Sequence, residues 1–138
     1  MPPTTPVASP ATRNVRTSAL ILSLLALVQA ALGGTVLSGG GGIKTVHGYV
    51  GYLTFVVALV AAFFAWKAAQ VTGNKGTFFH ALSLPILALI QIGLAEMDLK
   101  WVHVIVGILF LVAAFGLYAM ADRPAKHGAA DRPAGDAV

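Results

Sequence analysis

Four long stretches of this chain carry no charge, and that spacing limits the fold more than any other feature. Asp, Glu, Lys and Arg are all missing between Arg16 and Lys44, between Lys44 and Lys67, between Lys75 and Glu96, and between Lys100 and Asp122. The apolar parts cover about 18–37, 46–66, 77–95 and 101–120. Each is close to the roughly 20 residues that a helix needs to cross a bilayer. In lipid every segment must satisfy its own backbone hydrogen bonds, so each run predicts a helix. The connections are short, which makes neighbouring helices antiparallel. The expected fold is therefore all-α, a four-helix transmembrane antiparallel bundle over residues 17–121. Composition agrees: 57% of the 138 residues are hydrophobic and 10% charged, where soluble domains run nearer 45–50% and about 25%. The chain has no cysteine. That excludes disulfides, thiolate metal sites, a Cys nucleophile and covalent haem attachment.

The two ends differ from the middle. Residues 1–16 hold Pro2, Pro3, Pro6 and Pro10 among Thr, Ala and Ser, and residues 122–138 mix Pro124 and Pro133 with Asp and basic residues. Neither has the apolar surface to offset its ordering entropy, so both are expected to be disordered tails. A signal peptide is the alternative for the start. Arg13 and Arg16 precede a Leu-rich run, and Val28-Gln29-Ala30 is an acceptable cleavage signature. Against it, the apolar run continues to Leu37 and has a counterpart later in the chain.

Loop charge sets the orientation. Arg13 and Arg16, then Lys67 and Lys75, then Arg123, Lys126 and Arg132 fall on one side, while the other two loops hold Lys44 and Lys100. Both termini are thus expected in the cytoplasm of a cell-membrane protein, with the first and third loops outside. Tyr49, Tyr52 and Trp101 would form the outer aromatic belt, and Trp66 and Tyr118 the inner one. The basic residues do not cluster, so the net charge of +4 points to membrane orientation and not to nucleic acid.

The chain reads as a duplicated hairpin. Leu25, Ala26, Leu27, Gln29 and Leu32 recur as Leu87, Ala88, Leu89, Gln91 and Leu94. The second helices share V-H-x-x-V-G-x-L, from Val46-His47 to Leu53 and from Val102-His103 to Leu109. The Gly39–Gly42 run accounts for the difference in offset. Both hairpins start and end on the same side, so the repeat is parallel, about an axis along the membrane normal. That symmetry puts His47 and His103 at one depth, about one turn below the outer surface, facing across the bundle.

An ionisable residue within a span is a functional hypothesis by default. Paired neutral imidazoles suit a metal ion or a haem iron. No Asp, Glu or Cys lies within a helix to complete a bare-ion site, whereas haem needs only two axial ligands. Gly51 and Gly107 follow the histidines at i+4, on the same face one turn deeper, where a missing side chain would clear room for a porphyrin. Gly48 would widen the first site. Lys44 and Lys100 are candidate counter-charges for propionates, and Gln29 and Gln91 candidate hydrogen-bond partners for the imidazole N–H. The plain alternative is that these small and polar residues only glue helices together. His80, beside Phe78 and Phe79, is expected at the inner interface with no repeat partner, and His127 lies in the tail. Pro85 is expected to kink the third helix, where the first has Ser23. With no ligand pair on the inner side, an electron path across the membrane within one monomer is not expected.

The membrane part resembles one four-helix half of the heme A synthase family. Gln29-Ala-Ala-Leu-Gly33 leading to His47, and Gln91-Ile-Gly-Leu-Ala95 leading to His103, carry the likeness over about 17–121. The pattern is also similar to small four-helix membrane proteins of high-GC bacteria. The resemblance implies haem-ligand roles for His47 and His103. The family's Glu before the second-helix histidine, and its loop cysteines, have no counterpart in Ser38–Thr45. The resemblance therefore carries over ligation and not the oxidation chemistry.

The leading expectation is one bis-histidine haem b near the outer face, in electron transfer or haem handling, with no enzyme activity by itself. A cofactor-free membrane scaffold is the second reading. A heme A synthase-like enzyme assembled from two copies is the third. Expected partners are lipid and either a second copy or a respiratory or haem-pathway membrane protein. Gly33, Gly34 and Gly116 would allow close contact between copies, or pack within one bundle.

Overall fold

The computed structural model describes residues 9–122. It contains four helices: α1 (Pro10–Leu37), α2 (Ile43–Thr72), α3 (Lys75–Glu96) and α4 (Lys100–Asp122). All four are long and apolar enough to cross a membrane, so the chain is a multi-pass, helix-only bundle. Large apolar side chains point outward along every helix, among them Leu24, Val56, Leu89 and Val112. A bilayer covers such a surface without cost.

The helices run past their apolar parts because the caps, not the charges, stop them. Residues 10–16, expected in the first tail, are the first turns of α1. The Ser9 side chain accepts from the Thr12 N–H at 3.3 Å, and Pro10 takes the first helical position. Proline is pre-organised there and its missing N–H loses nothing. Residues 1–8 and 123–138, including His127, lie outside the described residues. Lys67 does not end α2 either. Lysine is a good helix former, and the helix continues to Gly73, whose φ of 71° makes the left-handed C-terminal cap.

The two loops at the other end open with the same turn. Gly40 N–H bonds to Thr35 O and Gly39 N–H to Val36 O; Leu99 N–H bonds to Leu94 O and Asp98 N–H to Ala95 O. These are two Schellman caps. Gly39 (φ 96°) and Asp98 (φ 56°) supply the left-handed residue. Asp is among the few side chains that tolerate that conformation.

Each helix packs on two neighbours, in the ring α1–α2–α3–α4, and the diagonals α1/α3 and α2/α4 have no Cα–Cα approach within 8 Å. The core follows the repeat. Ala19, Leu22, Ser23 and Ala26 of α1 are buried, and so are their counterparts Ala81, Leu84, Pro85 and Ala88 of α3. Thr54, Ala58 and Ala61 of α2 are matched by Phe110, Ala114 and Leu117 of α4. Small residues let α2 approach its neighbours closely, with Ala62, Ala65 and Ala68 extending the row. α3 continues through Pro85. At the termini end Arg16 Nε meets Asp122 Oδ1 at 2.8 Å, joining α1 to α4 across an exposed pair.

Candidate functional site

The closed core stops at one level on all four helices. Every fully buried residue among those described lies on the termini side of Ala26, Thr54, Ala88 and Phe110. Three residues further on, each helix contributes Gln29, Gly51, Gln91 or Gly107. A Cβ on Gly51 would fall 2.9 Å from Gln29 Nε2, and one on Gly107 would fall 2.7 Å from Gln91 Nε2. Each glutamine amide therefore sits in a notch that only glycine leaves open. The clearance expected for a porphyrin at Gly51 and Gly107 is thus taken by the amides. These two contacts form a polar floor over the core.

One turn above the floor stand the histidines. His47 on α2 and His103 on α4 meet across a diagonal, their ring centroids 5.9 Å apart and their planes at 74°. Both are half-buried. His103 Nδ1 lies 3.0 Å from the Gln91 carbonyl oxygen. A carbonyl only accepts, so Nδ1 carries the proton and Nε2 keeps a free lone pair. The glutamine thus reaches the imidazole through its backbone, not through the side-chain amide that the sequence suggested. His47 differs. Its ring leans on α1, where a Cβ at Gly33 would lie 3.4 Å from Cε1 and 3.9 Å from Nδ1. Its Nδ1 is buried with no protein partner, as are Gln29 Oε1 and Gln91 Oε1. A buried polar atom without a partner costs about 1–3 kcal/mol, and these three lie within about one helical turn of each other.

The remaining expected residues fall as follows. Lys44 and Lys100 each precede a histidine by three residues, are exposed, and sit one turn nearer the loops. Lys100 Nζ stands 5.3 Å over the Trp101 ring. Gly48 is exposed and a Cβ there would meet nothing, so it does not widen the site. Gly33 packs on His47 and Gly116 on His80, both inside the bundle, and only Gly34 is open. His80 lies near the start of α3, and its Nε2 donates to the Ala113 carbonyl of α4 at 2.8 Å. It also has a repeat counterpart, Ser18, which the match of buried positions reveals.

Among the described residues there is no group of three or more His, Cys, Asp or Glu able to hold a metal ion. The donor set is two imidazoles. Their rings are in edge-to-face contact. Comparison with protein-family models, with curated proteins and with solved structures gives no match.

Proposed function

We propose that this chain binds one haem b through His47 and His103 and serves in one-electron transfer or haem handling. The observation that carries the reading is the histidine pair: two imidazoles across a diagonal at 5.9 Å, one with its Nε2 freed by a backbone hydrogen bond. A bare ion wants more donors than two, while a porphyrin brings four nitrogens of its own. When bound, the group supplies an iron centre that takes up and gives back one electron.

The chain's residues do the rest. His103 presents a lone pair in a fixed direction because the Gln91 carbonyl holds its N–H. The Gln29 and Gln91 amides close the floor and keep the site off the apolar core. Lys44 and Lys100, a turn above the histidines, are placed for carboxylates at the bilayer surface. The distribution of Lys and Arg supports an outer-face position for this end in the cell membrane, with both termini in the cytoplasm. The likeness to one half of the heme A synthase family supports ligation at the same two histidines; an enzyme formed from two copies is its further extension. A cofactor-free scaffold is the second reading, favoured by the glycine notches, since small-residue packing is how membrane helices associate.

Protein expressed with ample haem and purified in mild detergent tests this. The expected result is a low-spin, six-coordinate haem spectrum that either His47→Ala or His103→Ala destroys, with the far-UV helix signal kept. A colourless wild-type protein, or an unchanged spectrum in the double variant, overturns the reading. Reporter fusions after residue 70 should behave as cytoplasmic and those near Gly41 as external.

A further inference from the structure

The first hairpin has a recess where the second has a side chain. His80 reaches from α3 to the Ala113 carbonyl, and Gly116 lies against its ring. The repeat gives these three positions the counterparts Ser18, Val57 and Val60. Ser18 turns its hydroxyl back to the Asn14 and Val15 carbonyls of its own helix. The space that His80 fills between α3 and α4 is left between α1 and α2 as a groove of about 280 Å³. Ile21, Val57, Val60 and Phe64 form its apolar walls. Ile21 and Val60 are exposed, so the groove opens sideways, toward lipid. Its end nearest the termini is formed by Arg13, Asn14 and Thr17.

That end is basic. α1 and α2 pack antiparallel, with Gln29 level with Gly51 and Gly33 level with His47. The same register puts Arg13 level with Lys67, which lies one turn beyond Phe64 on the stripe that lines the groove. Lys67 Nζ stands 5.6 Å from the Trp66 ring, and tryptophan marks the headgroup level of a span. Among the described residues the acid at this end of the bundle is Asp122, which Arg16 engages on the α4 side. No described carboxylate neutralises Arg13 or Lys67.

We propose that this groove is a site for one anionic phospholipid of the leaflet on the termini side. The phosphate sits between Arg13 and Lys67, and one acyl chain lies along Ile21, Val57 and Val60. The site is independent of whatever His47 and His103 hold, since those lie at the other end of the bundle. A guanidinium meets a phosphate through a two-pronged set of donors, and a lysine reaches the surface along its apolar stem. An apolar slot directly below two cations suits a molecule that joins both chemistries, and not a free phosphate. The second hairpin is the internal comparison: Lys75 stands at the position of Arg13, but His80 fills the slot.

The test uses the full chain in mild detergent, given dioleoyl phosphatidylglycerol or dioleoyl phosphatidylcholine and read by native mass spectrometry. One phosphatidylglycerol should be retained per chain, about tenfold in preference to phosphatidylcholine. Arg13→Gln and Lys67→Gln should each weaken retention about fivefold, and Lys75→Gln should leave it unchanged. Ser18→His copies the second hairpin and should abolish retention with both cations kept. Val60→Trp fills the slot from an exposed position, should do the same, and stands in if Ser18→His fails to insert. Equal retention of the two lipids, or unchanged retention in Val60→Trp, overturns the proposal. Glycerol phosphate, a headgroup without chains, should not compete; competition would make this a site for a free anion and overturn it too. Retention that appears only after residues 2–8 are removed gives the groove to the chain's own start. A shift from dimer to monomer in Val60→Trp with no change in lipid gives it to a second copy. Either result overturns the lipid site.

Discussion

The two hairpins of this protein share a middle set of layers in the same order and differ on either side of it. Both have four equivalent buried positions on the first helix, three on the second, then a glutamine beside a glycine, then a histidine; the first hairpin buries further residues toward the termini. The match is strict through the glutamine layer and fails one turn later. There His103 meets a carbonyl and His47 meets a glycine face. The lesson is that a repeat holds where packing is shared by four helices and relaxes where only a loop decides. Ser23 and Pro85 make the same point within the core. They occupy equivalent buried positions, and Ser23 spends its hydroxyl on the Ala19 carbonyl of its own helix at 2.9 Å.

The strongest way to break this comparison is to make the hairpins equal. Replacing Gly33–Lys44 with the sequence of Ala95–Lys100 gives both hairpins one turn geometry. His47 Nδ1 should then reach the Gln29 carbonyl. Nitrogen-15 NMR of the imidazoles should then show two hydrogen-bonded Nδ1–H groups in place of one. A single such signal means that the loop is not the source of the inequality.

Much of this arrangement was readable from sequence. Spans, antiparallel neighbours and the repeat follow from charge-free runs and from a few matched residues, because lipid leaves a helix few alternatives. The facing of His47 and His103 followed from symmetry alone. The atoms at the site were not readable. Nothing in Gln91 tells whether its side chain or its carbonyl will meet His103, since that depends on helix separation. The glycines were read as empty space, when a neighbouring long side chain was available to fill it. Helix ends were misplaced where charge was used as a stop; the Ser9-Pro10 pair and Gly73 were the signals to follow. The Ser18–His80 equivalence was also present in the sequence. It escapes notice because serine and histidine do not resemble each other, and only shared burial of the surrounding positions aligns them.

The glutamine notches offer a test of what the hairpins share. Gly107→Leu and Gly51→Leu should each destabilise the bundle by about 1–3 kcal/mol, the usual cost of forcing side chains off their rotamers. The effect should be larger at Gly107, where the approach is 2.7 Å against 2.9 Å at Gly51. Adding Gln91→Ala to Gly107→Leu should recover most of the loss, and adding Gln29→Ala to it should recover none. Unfolding by SDS in mixed micelles, followed by far-UV circular dichroism, measures this coupling. If Gly107→Leu is as stable as wild type, the amide swings free of the notch and the floor is not a structural element.

The smallest effect is expected where the hairpins diverge without consequence for the histidine pair. His80 reaches across to the Ala113 carbonyl of α4, while its counterpart Ser18 bonds only to its own helix, at the Asn14 and Val15 carbonyls. His80→Ser makes the second hairpin imitate the first. It removes one interhelical hydrogen bond, and the new hydroxyl can satisfy itself locally as Ser18 does. The loss should be about 0.5–1.5 kcal/mol in the same unfolding measurement, near the low end because Ala113 keeps its place in the helix ladder. The visible spectrum of haem-loaded protein should not change, since Gln91 lies eleven positions after His80 on α3, roughly 16 Å along the axis. A spectral shift in this variant would mean that the α3–α4 contact sets the position of His103, and that the second hairpin holds its ligand through its whole length instead of through one carbonyl.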